Sequence, residues 1–191
     1  MLEARIKKLK EYSLRCFHHE SFDDPKMAKE IMAEMPEIDA FNKSCSKVSK
    51  IKKSKINPEM IPCYESALLN FKQEQHLFRK MNYIKHCAKK IIDGFAGGSP
   101  TSAAVSRAEK LVAAYLELRN LISTCNFRLA TQIMRHRKAI KEKTDTDTIL
   151  SDAYVNVIKA VDYFNWTLGH RFSTYATWVV KKNYFRDCKH K

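Results

Sequence analysis

Apolar residues recur at helical spacing through residues 101–191. Val105, Ala108, Val112, Tyr115, Leu118, Ile122, Cys125, Leu129 and Ile133 fall three or four apart and predict one long helix from about 102 to about 142. A second set is Ile149, Leu150, Ala153, Val157, Ala160, Val161 and Phe164. It predicts a helix opening after Asp147, a residue suited to capping. A third helix is predicted from about Ser173 to about Asp187. Its residues Phe172, Ala176, Val180 and Tyr184 make a core stripe, while Tyr175, Trp178, Lys182 and Phe185 lie on another side. Two readings fit that second stripe. It is either the rim of the core with lysines reaching outward, or a ring-and-cation surface for unstacked bases.

The rest of the chain is more broken. All five prolines lie at or before Pro100, and three of the four glycines fall in 94–98. Residues 1–41 read as short helices interrupted near Pro25 and Pro36. Residues 42–57 carry six lysines and no acidic residue, the pattern of a flexible solvated run. Together 1–57 form an N-terminal helical and basic segment of no assigned role. Residues 58–93 turn helical after Pro58 and Pro62, with Leu68, Leu69, Leu77, Phe78 and Met81 as an apolar face. Residues 94–100 read as a linker into the domain at 101–191. Gly169 stands apart from the other glycines, between two predicted helices, where a reversal needs φ > 0 or a close backbone approach. The fold class expected is all-α.

Composition narrows the function. The 191 residues are 45% hydrophobic, enough for a real core, and the formal net charge is +14. That excess favours a polyanionic partner. No apolar run approaches the roughly 20 residues that span a bilayer, so no membrane partner is expected. The N-terminus lacks a signal-peptide pattern, and six cysteines without regular spacing read as free thiols. The location expected is cytoplasmic. Cys16, His18, His19 and Glu20 lie close in sequence, but no second ligand cluster stands at metal-binding spacing. No phosphate loop, catalytic triad pattern or Walker motif is present, so no enzyme, metal or cofactor is expected.

Three ordered motifs resemble region 2 of bacterial RNA polymerase sigma factors of the housekeeping (sigma-70) family. Asn126-Phe127-Arg128-Leu129 resembles N-L-R-L, and Ile158-Lys159-Ala160-Val161-Asp162-Tyr163-Phe164 resembles M-K-A-V-x-K-F. Gly169-His170-Arg171-Phe172-Ser173-Thr174-Tyr175-Ala176-Thr177-Trp178 resembles G-Y-K-F-S-T-Y-A-T-W. The stretch from Leu68 to Lys80 resembles region 1.2, which begins L-L-T-x-E-x-E.

The resemblance implies a factor that binds core RNA polymerase and melts the minus-ten element by capturing flipped bases of the non-template strand. It implies that Tyr175 stacks on the flipped adenine, in a pocket framed by Phe164 and Arg171. It implies a second pocket of Asn126, Leu129 and Ser173 for the last thymine. Trp178 would abut the upstream duplex, and Thr174, Lys181 and Arg186 would touch the backbone. Arg128, His170, Phe172 and Lys182 complete the implied DNA-contacting set. Asp152 falls at the acidic position that docks on a coiled coil of the largest polymerase subunit, with Ser151, Val155 and Lys159 beside it. An anti-sigma factor is a further partner of such a domain.

The chain departs from the family pattern. Val179 replaces a second tryptophan, and His170 replaces a tyrosine. Ser151 and Tyr154 differ from the usual docking residues. Lys182 replaces a glutamine, and lysine cannot make the bidentate amide pairing with a base. Residues 1–191 hold no helix-turn-helix module for the minus-35 element, as expected of either a fragment or a reduced factor. Two other readings remain: a sigma-like docking module that does not open DNA, and a general single-strand binder.

Overall fold

The computed structural model describes residues 2–12, 14–34, 68–98, 100–135 and 146–189. Among these there are six α-helices and no strand, an all-α fold. They are α1 (Leu2–Glu11), α2 (Pro25–Met32), α3 (Phe71–Asp93), α4 (Ser102–Arg135), α5 (Thr146–Tyr163) and α6 (Phe172–Lys189). No described helix is long and apolar enough to cross a membrane.

Each helix start has a local cause. Asp24 caps α2 by accepting the Lys26 N–H at 2.8 Å, and Pro25 takes the first turn, where its missing N–H costs nothing. The predicted break near Pro25 is therefore a helix start. Asn70 and Gln73 close a reciprocal capping box on α3, each side chain accepting the other's N–H at 2.9 Å. Leu69 and Leu68 precede that cap. Leu69 is buried and Leu68 is exposed, so Leu68 is not part of the helical apolar face that spacing predicted. Asp147 likewise lies inside α5, which begins at Thr146, rather than capping it. The fold around the lysine run 42–57, Pro36, Pro58, Pro62 and the expected last turns of α4 lies outside the described residues.

Gly94–Gly97 forms a 3-10 turn with Phe95 buried beneath it. The long helix α4 packs against α3, α5 and α6. One core contains Phe78, Met81, Ile84, Ile122, Val161, Phe164, Phe172 and Ala176. A second, around Ala130, Met134, Val157 and Val180, locks the far end of α4 to α5 and α6. Fully burying each of the Val, Ile, Met and Phe side chains among them is worth roughly 1.5–3 kcal/mol. Cys125 is buried on the predicted stripe, as a core thiol.

The N-terminal segment is tied to this body. Arg5 makes a two-pronged ion pair with Glu109 of α4, at 2.8 and 2.6 Å. Residues 14–19 then cross α3, where the Phe17 N–H donates to Asn82 Oδ1 at 2.9 Å. Phe22 closes the crossing, buried against Tyr83, His86 and Trp166.

A polar tie joins three helices inside the bundle. Lys85 of α3 is 1% exposed and meets Asp162 of α5 at 3.0 Å. Tyr115 of α4 donates its hydroxyl to the same carboxylate at 2.6 Å, and its ring lies 4.6 Å from the Lys85 ammonium. Arg119 adds a longer contact to Asp162 at 3.7 Å. Burial pushes the Lys85 pKa down and the Tyr115 pKa up, while Asp162 favours the charged ammonium.

Candidate nucleic-acid interface

The turn before α6 sets the site. Asn165 accepts the Thr167 N–H at 3.2 Å and starts a 3-10 turn at Trp166–Leu168. Gly169 closes it in the left-handed region at φ 68, as its isolation in the sequence predicts. The chain reverses and α6 begins at Phe172.

The first turn of α6 is capped from a distant element. The Phe172 N–H donates to Glu74 Oε1 of α3. Arg171 pairs with the other oxygen of Glu74 at 3.2 Å and donates to the Leu69 carbonyl at 3.3 Å. Burial raises the Glu74 pKa, and the Phe172 N–H and the Arg171 charge oppose that rise.

Along α6, Phe172, Ala176 and Val180 are buried, as the core stripe predicts, and Tyr184 packs partly against the second core. Thr174, Trp178, Lys181, Lys182 and Arg186 are exposed at helical spacing. Trp178 is 56% exposed, which removes it from the core. Its ring is roughly parallel to that of Tyr175, with centroids 6.5 Å apart. The Lys182 ammonium lies 4.7 Å from the Trp178 ring, a cation–π pair. Tyr175 is half-buried, with Phe164 behind it at 5.5 Å. Phe164 in turn packs on Phe78 at 4.7 Å and on Phe172 at 5.3 Å. Among the described side chains of this stripe, Trp178 and Lys182 stand at the surface and the back of Tyr175 meets the core, while the Phe185 side chain lies outside the described ones.

A separate cavity of about 330 Å³ lies beside this ladder. Asn126, Leu129 and Ser173 line it, the three residues grouped in sequence analysis. Arg128, Arg171, Leu68 and Leu69 complete much of its wall. Asn126 is held by donating to the Ile122 carbonyl at 2.8 Å. The cavity thus offers an amide, a hydroxyl, cations, the Glu74 carboxylate and apolar surface to a group of base size.

Some predicted positions shift. Arg171 belongs to the wall of this cavity, not to the Tyr175 ring cluster, because Glu74 and Leu69 hold it there. Phe172 is fully buried and Phe164 nearly so. Phe164 packs behind Tyr175, and Phe172 packs on Phe164. His170 is exposed in the turn. On α5, Ser151, Asp152, Val155 and Lys159 are all exposed on one face, opposite the buried Ala153, Val157 and Ala160.

Near the N-terminus, His18 meets Asp23 at 3.0 Å and stands beside His86, and ligand atoms of the three lie within 4.8 Å of one another. Cys16, His19 and Glu20 are not part of that group. Sequence reasoning missed Glu74, although it sits in the stretch resembling region 1.2. It also missed Tyr163, although that ring stands where the family motif has lysine.

No protein-family model matches the chain. Over 63 residues it is 36% identical to the RNA polymerase sigma factor SigA of Mycoplasma genitalium, and equally to that of Mycoplasma pneumoniae. That match covers 33% of this chain and 12% of either relative. Over 95 residues it is 26% identical to the RNA polymerase principal sigma factor HrdD of Streptomyces griseus, covering 50% of this chain and 28% of the relative. The chain therefore spans a small part of the length of these relatives.

Proposed function

Because the chain is related to the housekeeping (sigma-70) family of RNA polymerase sigma factors, we propose that it binds core RNA polymerase and recognises and melts the minus-ten promoter element. The carrying observation is the pairing of two base-sized sites on one surface. One is the half-buried Tyr175 backed by Phe164 and flanked by the exposed Trp178–Lys182 pair. The other is the cavity of Asn126, Leu129 and Ser173.

A flipped adenine stacks on Tyr175, and the last base of the element enters the cavity. Unstacking costs a few kcal/mol per base. Stacking on a ring returns about 1–3 kcal/mol, and cations along α6 neutralise phosphate. The exposed face of α5 docks on the polymerase, with Asp152 toward a basic partner. A module that only docks on polymerase needs that α5 face but has no use for exposed rings on α6.

The test is fluorescence anisotropy with a labelled non-template minus-ten single strand, the same strand with the second base substituted, and the duplex. The matched single strand should bind tightest and weaken steeply with salt. Equal binding to all three would leave a generic basic protein.

A further inference from the structure

We propose that Arg15 and Tyr163 form a second nucleotide-binding site, beside the base captured by Tyr175, for an unpaired nucleotide of the same strand. The proposal rests on the reading of α6 as a single-strand surface. It gives the N-terminal segment a part in that surface.

Three observations converge there. Arg15 leaves the extended crossing at 14–19 and lies between two rings, 5.5 Å from the centre of Phe17 and 5.3 Å from that of Tyr163. Tyr163 is the last residue of α5 and is 49% exposed, although it is a large ring beside the core residue Phe164. Tyr163 also adjoins Phe164, whose ring lies 5.5 Å from that of Tyr175. The Arg15 charge stabilises the phenolate form of Tyr175 and Tyr163 opposes it, against a dominant rise from burial. The surface thus reads Arg15, Tyr163, Tyr175, Trp178, Lys182, with a cation at each end and rings between.

Arg15 also forms part of the wall of a cleft of about 690 Å³ that carries Lys10 and Lys89 beside one carboxylate, Asp93. Among the described residues no carboxylate pairs with Arg15. A guanidinium held between rings keeps its fork in one orientation, which suits a phosphate, and an exposed phenol ring suits a base. Tyr163 contributes the stacking face and Arg15 the phosphate contact. Lys10 and Lys89 carry the backbone onward through the cleft.

The test uses the full chain and two labelled minus-ten single strands. One ends at the captured adenine, and the other runs further on both sides. Wild type should hold the longer strand more tightly. Arg15→Ala should weaken the longer strand about tenfold and lower its salt slope by about one. Binding of the short strand should stay unchanged, and Arg15→Lys should recover part of the loss. Tyr163→Leu, which alters only an exposed ring, should weaken the longer strand without changing the salt slope. Unchanged binding of the longer strand by both Arg15→Ala and Tyr163→Leu would overturn this site while leaving Tyr175 in place. No preference of wild type for single strand over duplex would remove both readings together.

Discussion

Glu74 caps the helix that carries Tyr175 by accepting the backbone N–H of Phe172, 98 residues away. The carboxylate is buried, and Arg171 satisfies its second oxygen. Removing the side chain strands a helix N–H and takes one partner from the Arg171 guanidinium. Glu74→Ala should therefore cost about 1–3 kcal/mol in urea denaturation. Glu74→Gln keeps an acceptor and should cost less. Because burial raises the Glu74 pKa, the folded chain keeps that proton to higher pH than the unfolded chain does. Its contribution to stability is greatest in acid and falls as pH rises above the ordinary carboxylate value. The wild-type minus Glu74→Gln difference should show that slope, and a flat difference would remove Glu74 as its source.

The pair Lys85–Asp162 should respond unequally to its two deletions. Asp162 is 25% exposed and keeps Tyr115 and Arg119 as partners. Lys85 is sealed in, so Asp162→Ala leaves a buried ammonium facing only a ring and should cost about 3–5 kcal/mol. Lys85→Met fills the same space without a charge and should cost clearly less. Guanidinium melts of both variants check the order, and equal losses would contradict it.

Tyr175→Ala should disable promoter opening more than folding. The substitution removes a stack of about 1–3 kcal/mol toward the captured base. Tyr175→Phe should keep it. Permanganate footprinting of a promoter with core polymerase reads the unpaired thymines directly. Full reactivity with the alanine variant would take Tyr175 out of the opening step.

Asp152→Lys should weaken polymerase binding several-fold, more at low salt, because it sets a cation on the exposed α5 face against a basic partner. Helicity should not change, since the side chain is exposed. Co-purification with core enzyme across salt concentrations decides it, and unchanged recovery would move the docking surface elsewhere.

The three long helices of residues 101–191, the left-handed Gly169 and the core stripe of α6 were legible because each is a local pattern. Periodicity places Phe172, Ala176 and Val180 on one side, and they are buried there. The exposure of Trp178 was not settled by spacing, since a ring at that register fits a core rim equally well. Asn126, Leu129 and Ser173 came together through a resemblance, and the fold does assemble them around one cavity. What could not be read were partners fixed by tertiary packing. Glu74 to Phe172, Lys85 to Asp162 and Arg15 to Tyr163 join positions whose local patterns say nothing of each other. The pairing of Arg171 with Glu74 belongs to the same class, since a cation in the motif carries no sign of which partner it will meet.

Phe164 touches Phe78 on one side and Tyr175 on the other. Under the proposed function, a genetic selection for loss of promoter opening would not return surface residues alone. Truncating Phe78, Phe164 or Phe172 would let the Tyr175 ring sag, and each would score as an opening mutant without ever meeting a base. Temperature would sort them. Losses that come from the supporting rings should be relieved by growth in the cold, whereas loss of the Tyr175 ring itself should persist at every temperature.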